Sequence, residues 1–73
     1  MVTVYSKPNC MQCNFTKKYL DDKGISYKSV DIFEDASALE HVQALGFQSV
    51  PVVEADDEPA FNGFRPDLLA KLA

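Results

Sequence analysis

Beyond Cys10 and Cys13 the sequence has no cysteine, and its single histidine is His41. A structural zinc site takes about four ligands, so with His41 on a different helix and no second cysteine pair, zinc is the disfavoured reading. No apolar run approaches the roughly 18 residues that span a bilayer, which leaves no candidate membrane helix. The opening "MVTVYSKPN" lacks the charged start and long apolar stretch of a signal peptide, so the expected location is the cytoplasm, where lasting structural disulfides are rare. An excess of basic residues is also missing. The net charge is −4, whereas a nucleic-acid binder needs a basic patch to displace counterions. Internal repeats and low-complexity tracts are absent as well.

What remains is a chain of 73 residues, 47% of them hydrophobic, expected to form a single domain over residues 1–73 with a thin core. "VTVYS" (Val2 to Ser6) reads as a buried strand ending at the Pro8–Asn9 breaker. A helix is expected from about Cys10 to Asp22. Cys13, Thr16 and Leu20 share one face, Phe15 and Tyr19 form a second apolar pair, and Gly24 closes the element. "SYKSVDI" (Ser26 to Ile32) alternates as a strand. Asp35 is a plausible N-cap for a helix from about Ala36 to Leu45, with Ala38, Val42 and Leu45 inward and Gly46 at its end. "QSVPVVE" (residues 48–54) reads as a strand entered through a proline, "ADDEP" as a polar turn, "AFNG" as a short strand. "FRPDLLAKLA" reads as a last helix with Pro66 in its first turn. The order β-α-β-α-β-β-α implies an α/β fold: a four-stranded mixed sheet flanked by three helices, with a right-handed parallel crossover first and a hairpin near Asp56.

Two cysteines separated by two residues after the first strand point to thiol–disulfide chemistry. A helix starting at or just after Cys10 turns its free N–H groups and positive dipole end toward the Cys10 sulfur. Its thiol pKa is therefore expected below the free value of about 8.5. Cys13, one turn further in, is expected to be more buried and to act as the resolving thiol, with Cys10 as nucleophile. A structural disulfide closing so short a loop would remove little unfolded-state entropy. A metal or iron–sulfur module using both cysteines, completed across a dimer, is the alternative of another class.

The strand–CxxC–helix opening, the "SVP" of Ser49–Val50–Pro51 and the element order resemble the thioredoxin/glutaredoxin fold. "CMQC", "GFQSVPVV" and "NGFRPD" together resemble the glutaredoxin-like NrdH redoxins over essentially the whole chain. The resemblance implies a cis Pro51 beside Cys10 and a Val50 backbone that pairs with an extended substrate segment by strand addition. It implies a monomer with no bound cofactor. Electrons would come from NADPH through thioredoxin reductase and pass to class Ib ribonucleotide reductase, whose large subunit offers a flexible cysteine-bearing tail.

Glutathione-dependent glutaredoxins, the alternative within the same chemistry, usually carry a Gly-Gly pair, a small residue and an acid before the last helix. Here Gly63 is followed by Phe64 and Arg65, and Pro66 has no N–H to donate. Carboxylate capture at that corner is expected to be impaired, although Lys7 remains as a charge partner. The family commonly has Trp-Ser where this chain has Phe61 and Asn62. Phe61 is expected to keep an aromatic surface without the indole donor. Met11 stands where valine is usual and is expected to be an exposed, adaptable contact. Gln12 flanks the thiols, and Phe64 and Arg65 either orient the last helix or contact the reductase. His41 is expected at the surface, and "EADDE" as a solvated turn.

Overall fold

A computed structural model describes residues 1–72. Its elements run β1 (Val2–Ser6), α1 (Met11–Asp22), β2 (Tyr27–Asp31), α2 (Ala36–Ala44), β3 (Val52–Ala55), β4 (Glu58–Asn62) and α3 (Pro66–Leu69), followed by a 3-10 turn over Ala70–Leu72. One mixed sheet has the strand order β2-β1-β3-β4. β1 lies parallel to β2 and antiparallel to β3, and β3 and β4 form an antiparallel pair. The element order and the sheet are those expected from the sequence.

Alternation along the two central strands divides the core into two layers, because successive side chains in a strand point to opposite faces. Val2, Val4, Val53 and Phe61 lie in one cluster with Leu20 of α1 and Leu69 of α3. Tyr5 and Val52 point the other way, into a cluster with Ile32 and with Ala38 and Val42 of α2. Both faces of β1 and β3 are thus covered, which is why "VTV" and "VPVV" are so apolar.

Both long helices stop by the same device. At the end of α1 the Gly24 N–H donates to the Asp21 carbonyl (3.1 Å) and the Ile25 N–H to the Leu20 carbonyl (2.9 Å). At the end of α2, Gly46 donates to Gln43 (3.0 Å) and Phe47 to Val42 (3.2 Å). This double closure needs a left-handed residue, and the two glycines have φ of 69° and 92°. It brings Ile25 and Phe47 back against their own helices, into the two core layers.

Several boundaries differ from the sequence reading. α2 ends at Ala44, so Leu45 becomes its C-cap and is exposed rather than inward; Phe47 takes the apolar role expected of Leu45. β2 is one residue shorter at each end than Ser26 to Ile32. β3 starts only at Val52, because its ladder with β1 begins with the Tyr5–Val52 pair and Pro51 has no N–H to extend it. Gln48 to Pro51 are loop. β4 starts at Glu58, paired with Ala55, so the turn is shorter than "ADDEP". Pro59 is accommodated because β4 is an edge strand. The last helix is confined to Pro66–Leu69, and Phe64 and Arg65 precede it. Its expected final residue, Ala73, lies outside the described residues.

Asp35 is the N-cap of α2. Its Oδ1 accepts the Ser37 hydroxyl (2.6 Å) and the N–H groups of Ser37 (3.0 Å) and Ala38 (3.2 Å). The Ser37 hydrogen bond, then that of Ala38, holds its carboxyl below the usual range. A depressed folded pKa means that the contribution is complete above the unfolded value, about 3.9, and is lost as pH falls through the folded value. Asp35→Ala is therefore expected to lower Tm by a few degrees at neutral pH, with the gap to the parent closing below about pH 4. A gap that persists unchanged at low pH in thermal melts would rule out this account.

Candidate functional site

The turn after β1 aims the first cysteine. Pro8 presets its own φ, and Asn9 takes a left-handed φ of 61°, which a short polar side chain tolerates. The chain then enters α1 with Cys10 as its N-cap, in extended conformation. The Cys13 N–H, one of the helix's free donors, points at the Cys10 sulfur at 3.1 Å. Any negative charge on that sulfur meets this donor and the positive end of the helix.

Cys10 and Cys13 are joined as a disulfide, with Cα atoms 5.2 Å apart. Cys10 is 8% exposed and Cys13 1%. Cys13 is the more buried, as expected from its place one turn inward on the face it shares with Thr16 and Leu20.

The wall opposite comes from the loop before β3. The Val50–Pro51 bond is cis, as the resemblance implied. The Val50 carbonyl oxygen lies 4.0 Å from the Cys10 sulfur. The Pro51 carbonyl accepts the Gly63 N–H at 2.8 Å, which fastens the chain after β4 to this loop. The Asn62 side-chain amide donates to the Ser49 hydroxyl at 2.9 Å. This second tie is not visible in the sequence, where Asn62 stands out only as a departure from the family's serine. The Gln12 side-chain oxygen stands 3.7 Å from where a Cβ at position 63 would be, so α1 closes over the same glycine.

The remaining sequence candidates separate. Lys7 and Met11 are exposed beside the cysteines, Met11 at 71%. Phe64 is half-buried. It packs on the core layer under α1 and α3, and its ring lies 5.9 Å from that of Phe15, which is exposed. Arg65 is exposed and donates to both carboxylate oxygens of Asp67, at 3.1 and 3.3 Å. This hydrogen bonding holds the Asp67 carboxyl below its usual range. The expectation for Phe61 is corrected: it is 8% exposed and belongs to the core with Val53 and Leu69. Its inward direction follows from the β4 register, in which Phe61 faces Val53.

His41 lies at the surface of α2. Its Nε2 is 3.1 Å from both carboxylate oxygens of Glu54, which also accepts the Tyr5 hydroxyl at 3.1 Å. Among the described residues no group of three or more His, Cys, Asp or Glu is placed to hold a metal ion. No helix among the described residues is long and apolar enough to cross a membrane. Sequence reasoning also passed over Phe33 and Phe47, which line a groove opening beside Val50. The signal for Phe33 was an aromatic just past a strand, directly after the inward-facing Ile32.

The chain is similar to known proteins over essentially its whole length. The glutaredoxin family pattern matches residues 2–60. The glutaredoxin-like protein NrdH of Lactococcus lactis subsp. cremoris is 51% identical over 73 residues, covering 100% of both chains. That of Escherichia coli K12 is 34% identical over 71 residues, covering 97% of this chain and 86% of the other. The solved structure of NrdH-redoxin from Escherichia coli, described as having a thioredoxin-like activity profile, superposes with a TM-score of 0.94. It is 33% identical and covers 99% of this chain and 93% of that one.

Proposed function

The chain belongs to the glutaredoxin family, to its NrdH-type members, and is a thiol–disulfide oxidoreductase; from that premise we propose that it carries electrons from thioredoxin reductase to class Ib ribonucleotide reductase, in the cytoplasm, as a monomer with no bound cofactor. Cys10 is the nucleophile. Its thiolate attacks one sulfur of the acceptor disulfide, forming a Cys10–acceptor bond while the other acceptor sulfur leaves as a thiolate. Cys13, losing its proton, attacks the Cys10 sulfur and expels the second acceptor thiolate. Two electrons have then passed to the acceptor, the two protons of the cysteine pair end on its thiols, and the Cys10–Cys13 disulfide remains. Thioredoxin reductase returns two electrons from NADPH to that disulfide.

The assignment of Cys10 rests on its greater exposure and on the Cys13 N–H at its sulfur. The choice of donor rests on the start of α3. Pro66 offers no N–H there, and the Arg65 guanidinium is engaged by Asp67, whose carboxylate repels another. A glutathione carboxylate finds little to hold it at that corner. The thioredoxin-like profile described for the Escherichia coli protein points the same way. The glutathione reading keeps one observation in its favour: Lys7 is exposed and makes no ion pair among the described residues.

The discriminating experiment follows NADPH consumption with a model disulfide in two reducing systems. One contains thioredoxin reductase, the other glutathione with glutathione reductase. Turnover confined to the first is expected, and makes ribonucleotide reductase the next acceptor to test. Turnover confined to the second would assign the protein to the glutathione-dependent glutaredoxins.

A further inference from the structure

The Val50 carbonyl oxygen lies 4.0 Å from the Cys10 sulfur, and Val50 also lines a groove. The groove has a volume of about 290 Å³, with Ile32, Leu39, Val42 and Phe47 in its walls and Phe33 and Lys7 also lining it. Local structure holds these walls in place. Asp31 Oδ1 accepts the Phe33 N–H at 2.8 Å, and the Ile32 N–H donates to the Ser6 carbonyl at 3.0 Å, so Ile32 turns inward while Phe33 is left 69% exposed. Phe47 is drawn onto Val42 by the helix-ending hydrogen bonds of α2. The groove walls at Ile32, Phe33 and Phe47 are therefore tied to the ends of β1, β2 and α2 by hydrogen bonds, and the exposure of Phe33 has no account in the packing of the core.

We propose that this groove is the specificity pocket for the acceptor: it takes one bulky apolar side chain next to the attacked cysteine, with an acidic group alongside at Lys7. The inference rests on the proposed protein-disulfide acceptor. Size comes first. At about 290 Å³ the groove lies at the lower end of ligand-pocket volumes and has room for one large side chain. Position is next. A segment presenting its disulfide to Cys10 runs past Val50, and its side chains alternate in direction, so one neighbour of the cysteine faces the groove. Charge follows. Residues 1–20 contain Lys7, Lys17 and Lys18 and no acid, in a chain whose net charge is −4. Lys7 has no ion-pair partner among the described residues. An acid beside the apolar anchor complements that edge.

The test uses the full chain, reduced with dithiothreitol and desalted, and synthetic peptides with an internal disulfide. The peptides differ only in the pair beside the attacked cysteine: Phe-Glu, Ser-Glu or Phe-Lys. Acid-quenched chromatography gives the second-order rate constants. Phe-Glu is expected to react about tenfold faster than Ser-Glu, as burial of one large apolar side chain requires. In Phe33→Ser, a substitution at an exposed position, that ratio is expected to fall toward one. Lys7→Glu is expected to reverse the preference for Phe-Glu over Phe-Lys. Equal rates for Phe-Glu and Ser-Glu in the parent protein, or a ratio that survives Phe33→Ser, overturn the proposal. So does a faster reaction with glutathione disulfide that is lost in Lys7→Glu, which would make the groove a glutathione site. No reductase is present, so the outcome is independent of which donor the NADPH assay selects.

Discussion

Cys10→Ser is expected to abolish turnover, leaving disulfide reduction at the uncatalysed background. Serine's hydroxyl is neither ionised at neutral pH nor able to form the mixed disulfide, and the remaining thiol of Cys13 is 1% exposed. Cys13→Ser is expected to fail differently. Cys10 keeps its place at the start of α1, and the residue 13 N–H still points at its sulfur because that donor belongs to the backbone. The first attack proceeds, nothing resolves the product, and one acceptor remains attached to one redoxin. Intact-mass spectrometry should find a stoichiometric adduct, and peptide mapping should place it on Cys10. The adduct should disappear on adding dithiothreitol. Full activity in Cys10→Ser, or capture at Cys13 in a Cys10→Ser protein at the parent rate, reverses the two roles.

Leu20→Ala is expected to have the largest effect on stability. Leu20 is fully buried between α1, the sheet and Leu69, and its carbonyl accepts the Ile25 N–H that ends the helix. Truncating a buried leucine costs about 2–5 kcal/mol through lost transfer energy and the cavity left behind. A domain of this length has a total of roughly 4–11 kcal/mol, at ~0.05–0.15 kcal/mol per residue. One substitution thus removes a large share. With a urea slope near the low end, about 1 kcal/mol per molar, the unfolding midpoint should fall by roughly 2 M or more. A fall under about 0.5 M would mean that the site collapses around the alanine and that the layer under α1 is softer than its burial indicates.

The unequal visibility of the site in the sequence has a physical basis. Cys10 and Cys13 were legible because their chemistry depends on spacing along one helix. The stop of α1 at Gly24 was legible for a similar reason, since the hydrogen bonds involved span only a few residues. Pro51 was visible as a proline, while its cis bond came from the resemblance to a family. Phe61 was misplaced because aromatic residues in edge strands face either way, and only the pairing of Phe61 with Val53 settles the direction. Leu45 was misplaced because helical periodicity was continued one residue too far, past the point where the chain turns at Gly46.

The sequence by itself determined the element order, the caps and stops of the two long helices, the redox pair and its place at a helix start. Each depends on contacts between residues near one another in the chain. Tertiary structure alone decided what surrounds the sulfurs. Val50 reaches Cys10 across forty residues, Gly63 is fastened to Pro51, Asn62 is tied to Ser49, and Phe33 and Phe47 meet around one groove. These contacts are set by strand order and register, and a one-residue slip in register would turn every side chain of a strand to the opposite face.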